Sequence, residues 1–212
     1  MKNQVQHSHP RFLSHLACLA LLLVISAGCA APGSRLDTLW DAPSFVLTDE
    51  TGQPFHSDTL AGKVWLIDFI YTNCPDECPI YLSPKMHMLQ EQIKGKKLAG
   101  KVELISLSVD PKRDTPQVLA DYAVRFSADP QIWHFLTGAD ATIEPLLVNG
   151  FKVGSAITQT PVTVTPLGTG ESYTLLHTPY FLLVDQHGKI RKTYDGTEVA
   201  VEQLLADIQQ LV

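Results

Sequence analysis

Apolar residues fall along this chain in two styles, short dense runs and longer stretches with helical spacing. Val64-Trp65-Leu66-Ile67-Asp68-Phe69-Ile70-Tyr71, the segment Val102 to Val109, and Tyr180 to Asp185 are dense and too short for helices, so each predicts a buried strand. After Pro79, residues Ile80, Leu82, Met86, Met88 and Leu89 predict an amphipathic helix running to about Ile93. A second helix is expected where Asp114 or Thr115 precedes Pro116, with Val118, Leu119, Tyr122, Ala123 and Phe126 as its apolar face. Val199 to Val212 predicts a last helix, with Val201, Leu204, Leu205, Ile208 and Leu211 on one stripe.

Smaller elements fill the gaps. Ser44 to Leu47 and Gln53 to Phe55 flank Asp49-Glu50-Thr51-Gly52, a hairpin signal, and Gln186-His187-Gly188-Lys189 predicts a second hairpin leading into Ile190 to Tyr194. Ile132 to Leu136 predicts a short strand, and Ile143 to Leu147 a helix with an early proline. Residues 154–173 are too rich in Thr, Pro and Gly for a helix and predict a long loop of the kind that is usually functional or mobile. Strands separated by helices and closed by a hairpin and a helix indicate an α/β fold: a central mixed sheet flanked by helices, with an N-terminal hairpin extension.

The first 28 residues change the picture. Lys2 and Arg11 precede the apolar run Leu16 to Ile25, then Ser26-Ala27-Gly28 leads directly into Cys29. This is a secretory signal pattern, and its apolar run is too short for a span of about 20 residues. The small residues before Cys29 resemble the bacterial lipoprotein cleavage box, which makes Cys29 the expected lipidation site; Ser26 stands where that box usually has an aliphatic residue. An ordinary cleaved signal and an uncleaved anchor are the other readings, and all three export the domain. The expected organisation is a lipoprotein-type signal over 1–28, a tether over 29–40 and a domain over 41–212, in a bacterial cell envelope, periplasm-facing and lipid-anchored.

The chain carries a formal net charge of −6, and residues 29–212 hold 14 basic against 22 acidic groups, which argues against nucleic acid as a partner. Of four cysteines, Cys18 lies in the signal and Cys29 at its end, leaving Cys74 and Cys78 in the body of the domain. No disulfide scaffold is available, so the pair is a redox couple, a metal site or a plain bridge. It falls where the first dense strand hands over to a helix, which points to the thioredoxin-like fold. If the helix has already begun at Cys74, a four-residue offset turns about 400° and puts both sulfurs on one side. A thioredoxin-like disulfide oxidoreductase usually has two residues between its cysteines and this chain has three; the offset still permits a disulfide, though not as the default, and it suits two ligands converging on one metal.

Among the histidines, His56, His87, His134 and His187 have ordinary surface or core readings, whereas His177 ends the long loop just before Thr178-Pro179 and a core strand. In a thioredoxin-like fold the loop entering that strand packs opposite the cysteines, which makes His177 the candidate third ligand. Two thiolates and an imidazole suit copper, as Cu(I) or Cu(II), better than a four-coordinate zinc site.

Asp68 through Pro79, then Leu107-Ser108-Val109-Asp110-Pro111-Lys112-Arg113-Asp114-Thr115-Pro116, then Leu136-Thr137-Gly138, and His177-Thr178 ahead of Phe181 to Asp185 and Gly188-Lys189 together resemble the SCO/SenC family. The resemblance spans nearly all of 41–212. It implies a membrane-tethered, thioredoxin-like copper chaperone for the dinuclear copper centre of cytochrome c oxidase, with Cys74, Cys78 and His177 on the family's copper positions. The implied partner is cytochrome c oxidase subunit II or another copper-site apoprotein. The alternative is a thiol-disulfide oxidoreductase acting on the oxidase copper-site cysteines, with Cys74 as nucleophile and Cys78 as resolving thiol. Thr178 stands where the family commonly has Ser, and Pro179 after it is less usual. A peroxidase reading has no identifiable peroxide pocket behind it.

Overall fold

The computed structural model describes residues 36–74, 77–153, 162–164, 173–175 and 179–212. Cys29, the signal, Asp76, His177 and most of the 154–173 segment lie outside the described residues.

The two densest runs form the centre of the molecule. Strand β4 (Val64–Ile70) and strand β5 (Val102–Ser108) pair in parallel over their full length, every residue buried, as expected of strands covered on both faces. β6 (Trp133–Thr137) adds in parallel to β5, and β9 (Tyr180–Val184) adds antiparallel to the other side of β4. β10 (Lys189–Asp195) returns from β9 through the Gly188 turn, where φ is +70°. A conformation of that sign favours glycine.

The N-terminal hairpin, β2 (Val46–Asp49) and β3 (Pro54–His56), joins this sheet through β2 and β6. At the other edge lies a strand that the hydrophobic pattern does not announce, β1 (Trp40–Asp41), paired with β10. Arg191 fastens the chain just before it by donating to the carbonyls of Leu36 and Asp37. The result is an eight-stranded mixed sheet in the order β1-β10-β9-β4-β5-β6-β2-β3. A separate two-stranded ribbon pairs β7 (Val162–Val164), inside the segment expected to be a loop, with β8 (Tyr173–Leu175), which starts at its last residue.

Helices cover both faces. α1 (Ser83–Gly95) buries Met86, Leu89 and Ile93, α2 (Pro116–Arg125) buries Leu119 and Tyr122, and α4 (Val201–Leu211) buries Val201, Leu204, Leu205 and Ile208. These side chains meet Val64, Leu66, Ile70, Val102 and Leu104 in one cluster, which also holds Cys74 and Cys78. On the opposite face Trp65, Ile67, Phe69, Ile105 and Leu107 pack with Phe45, Leu47, Phe151 and α3 (Asp140–Pro145) through Ile143. Among the described residues no helix is long and apolar enough to cross a membrane.

Candidate metal centre at the end of strand β4

β4 delivers the cysteines. After Ile70 the chain turns, Cys74 N–H donating to Tyr71 O at 3.1 Å, and a helical segment begins at Cys78. Cys74 therefore precedes the helix, contrary to the expectation of a helix already begun there, and the 100° per residue of a regular α-helix does not relate the two sulfurs. Cys78–Leu82 is a π-helical turn, closed by Ser83 N–H donating to Cys78 O five residues back, and α1 continues from it. Pro84 accounts for the widening, because it has no N–H for the carbonyl of Ile80 four residues earlier, whereas Pro79 sits in the first turn, where its missing amide costs no helical bond.

Cys74 and Cys78 are both thiols, not a disulfide. The Cys78 N–H points at Cys74 Sγ at 3.4 Å, so density on that sulfur meets the first amide of the helical segment. Cys74 Sγ also lies 3.9 Å from Glu77 Oε2, within reach of a weak S–H hydrogen bond. The strand-end position does not leave the pair open to solvent: Cys74 is 6% and Cys78 0% exposed. Burial pushes the Cys78 thiol well above its ordinary range, and the adjacent Cys74 and the more distant charge of Asp68 add to it, against a smaller opposing hydrogen bond with the Tyr71 backbone. The helix N-terminus therefore does not make a thiolate of Cys78; desolvation wins.

Two polar networks sit behind the pair. Asp68 is wholly buried; its Oδ1 accepts from Ser106 Oγ at 2.6 Å, and Ser106 Oγ accepts from Trp133 Nε1 at 2.9 Å. Asp114, also 0% exposed, receives the Thr72 hydroxyl at 2.6 Å, the Thr72 N–H at 3.2 and 3.3 Å and the Ser108 hydroxyl at 2.5 Å. The expected helix cap falls to Thr115, whose side chain accepts from Val118 N–H, while Asp114 turns inward. Burial raises the Asp114 carboxyl above the usual carboxylate range, outweighing its hydroxyl and amide donors. Neither network was legible as part of the site. The one available signal was polar residues at apolar-phase positions of two buried strands, Asp68 on β4 and Ser106 and Ser108 on β5.

Two of the other histidines have partners of their own. His134 Nε2 lies 3.4 Å from Glu103 Oε2 and its ring packs on Phe55, and the His187 amide donates to Asp185 in the β9–β10 turn. Among the described residues no three His, Cys, Asp or Glu side chains converge on a point suited to a metal ion. The chain re-enters the described residues at Pro179, two positions after His177. Pro179 O accepts from Gly196 N–H, and Lys85 Nζ of α1 donates to the carbonyls of Gly196 and Thr197 at 2.6 and 3.0 Å. A Cβ at position 196 would stand 2.5 Å from Pro179 O and would also overlap Leu82 of the π-turn, so only glycine lets these three segments meet.

Comparison with known proteins gives a consistent picture. Residues 38–212 match the SCO1/SenC family. A SCO1/SenC family lipoprotein from Bacillus anthracis is 33% identical, with 81% of this chain and 95% of that one covered at a TM-score of 0.66. BsSco, a member of the Sco family of cytochrome c oxidase assembly proteins in which a disulfide switch was identified, is 30% identical over 82% of this chain and 95% of its own, at a TM-score of 0.65. ScoI of Bradyrhizobium japonicum, whose structure was solved with copper bound, is 30% identical over 81% of this chain and 99% of its own, at a TM-score of 0.63. The mixed sheet with flanking helices is thus the thioredoxin-like architecture of these proteins.

Proposed function

The chain belongs to the SCO1/SenC family, and from that premise we propose that it is a membrane-tethered copper metallochaperone for the dinuclear copper centre of cytochrome c oxidase. Copper is its cargo, held by Cys74, Cys78 and His177 and passed by ligand exchange to cytochrome c oxidase subunit II or another copper-site apoprotein. Lipidated Cys29 would tether it in the bacterial cell envelope, facing the periplasm. The observation that carries the reading is the dithiol at the end of β4: two soft donors, both reduced, share one turn beside a helical N-terminus. Such donors fit Cu(I) with few ligands and, with an imidazole added, Cu(II). Cys78 is protonated until metal arrives, so loading releases its proton, and the nearly complete burial of both sulfurs keeps water from competing for the metal.

A second reading rests on the same geometry. The amide facing Cys74 and the desolvated thiol of Cys78 make the two sulfurs unequal, as a nucleophile and a resolving thiol are in a thiol-disulfide oxidoreductase acting on the copper-site cysteines of the oxidase.

The test is copper titration of the anaerobically reduced full chain in detergent, with metal analysis and absorption spectroscopy, beside Cys74→Ser, Cys78→Ser and His177→Ala. Either serine variant is expected to lose tight Cu(I) binding, and His177→Ala to weaken Cu(II) far more than Cu(I). Unchanged Cu(II) binding by His177→Ala would remove the three-ligand site. Disulfide reduction in a peptide bearing two copper-site cysteines, if it survives in His177→Ala, belongs to the second reading.

A further inference from the structure

We propose that Asp114 is a positioning residue for Cys74: it clamps the turn that carries this sulfur and so sets both the redox equilibrium of the Cys74/Cys78 pair and its grip on a soft metal. The redox half stands on geometry alone, and the metal half rests on the copper reading above.

The turn from Tyr71 to Cys74 is closed by one amide, Cys74 N–H to Tyr71 O. Thr72 lies inside it, and both its hydroxyl and its N–H are received by Asp114. Asp114 is itself fixed from behind. Its N–H donates to Asp110 O at 2.9 Å, its Oδ2 takes the Ser108 hydroxyl, and Ser108 Oγ accepts the Asp110 N–H at 3.0 Å. Below the two loops, Val109 N–H donates to Ile70 O, continuing the pairing of β4 and β5. The loop leaving β5 is therefore a braced support, and the fully buried carboxylate of Asp114 holds the loop leaving β4 by two donors of Thr72, its hydroxyl and its N–H.

A clamp of this kind has a chemical consequence. With Thr72 held, Cys74 Sγ sits on the Cys78 amide, the arrangement of the dithiol. Forming the disulfide requires Cys74 Sγ to bond to Cys78 Sγ instead. Against glutathione the balance is explicit: the two thiols give up two protons and two electrons, one S–S bond forms between them, and the S–S bond of glutathione disulfide breaks to yield two glutathione thiols. The clamp favours the thiol side of that exchange and prearranges the sulfurs for a metal.

The experiment compares the full-length chain with Asp114→Asn, Thr72→Val and Thr72→Ser. It measures the dithiol–disulfide equilibrium in glutathione buffers, Cu(I) affinity by competition with a chromogenic chelator, and urea unfolding of the reduced protein. Asp114→Asn is expected to shift the equilibrium toward the disulfide about tenfold, equivalent to ~30 mV for this two-electron couple, and to weaken Cu(I) binding. Thr72→Val should move both in the same direction by less, and Thr72→Ser, which keeps the hydroxyl, should restore both. If Asp114→Asn does not fold, Thr72→Val against Thr72→Ser decides. Loss of unfolding free energy with an unmoved equilibrium would make the network a structural brace only and overturn the proposal. If wild type binds no copper, the chaperone reading falls, while the glutathione equilibrium still judges the clamp.

Discussion

The two faces of β4 and β5 are built from adjacent residues of the same strands, yet near their carboxyl ends they differ in kind. One face presents Ile67, Phe69, Ile105 and Leu107, an apolar layer against Phe151 and Ile143. The other presents Asp68, Ser106 and Ser108, all 0% exposed, beneath the turn with Cys74 and Cys78. Burying polar groups costs free energy unless each is hydrogen-bonded. The polar groups are kept on the face where the thiols are, while the charged cluster of the opposite face, Lys63–Glu103–His134, lies toward the amino ends of the strands. At the carboxyl ends of the strands only the thiol face gives up apolar packing, and it does so beneath the reactive turn.

The sharpest way to break this contrast is Phe69→Ala. It empties a fully packed position and should cost about 3–5 kcal/mol in urea unfolding, while leaving the Cys74/Cys78 redox equilibrium where it was among molecules that remain folded. Ser106→Ala should cost less, about 1–3 kcal/mol, because it leaves the Trp133 N–H and one oxygen of Asp68 without that hydroxyl. It should nevertheless move the redox equilibrium, since Asp68 acts on Cys78 through its charge. Equal movement of the equilibrium by both substitutions would erase the difference between the faces.

The smallest effect asks whether a buried carboxylate alone marks the site. Asp207 of α4 is 2% exposed. Burial works to raise its carboxyl, but Lys192 at 2.7 Å, Gln203 at 3.0 Å and the Tyr194 hydroxyl at 2.8 Å outweigh it and hold it below the usual carboxylate range. A depressed folded-state value contributes stability that is present above the unfolded value of about 3.9 and is lost as pH falls through the folded one. Asp207→Asn should therefore be less stable than wild type at pH 7, the gap closing as pH drops below 4 in urea titrations. The cysteine equilibrium should not change. A shift there would extend the reactive region to the far end of α4.

Much of the frame was legible because strong local patterns agree with tertiary packing. The continuous apolar run of β4 and the paired spacing of α1 and α4 each have one comfortable burial, and Thr115-Pro116 marks a helix start by its own chemistry. β1 was not legible because two residues carry no period; it exists because β10 offers an edge and Arg191 pins the chain beside it. The π-turn was hidden because its cause, a missing amide at Pro84, acts four residues upstream on the carbonyl of Ile80. Of the site, Cys74 and Cys78 were readable from their scarcity, and their deep burial was not. Asp114 was read as a possible cap because Asp before Thr-Pro is ordinary at a helix start; its inward turn depends on Thr72, 42 residues earlier.

The edge strands carry one more consequence. The sheet ends on one side in two residues, Trp40 and Asp41, with Asp41 ion-paired to Lys189, and on the other in three, beginning at Pro54. Neither terminal strand is itself a ladder long enough for a neighbouring copy to extend, and Pro54 has no amide to offer it. Edge-to-edge pairing between copies is thereby confined to what β10 leaves open, since among the described residues β1 covers only its Lys189–Ile190 end and Lys192 to Asp195 run on beyond it.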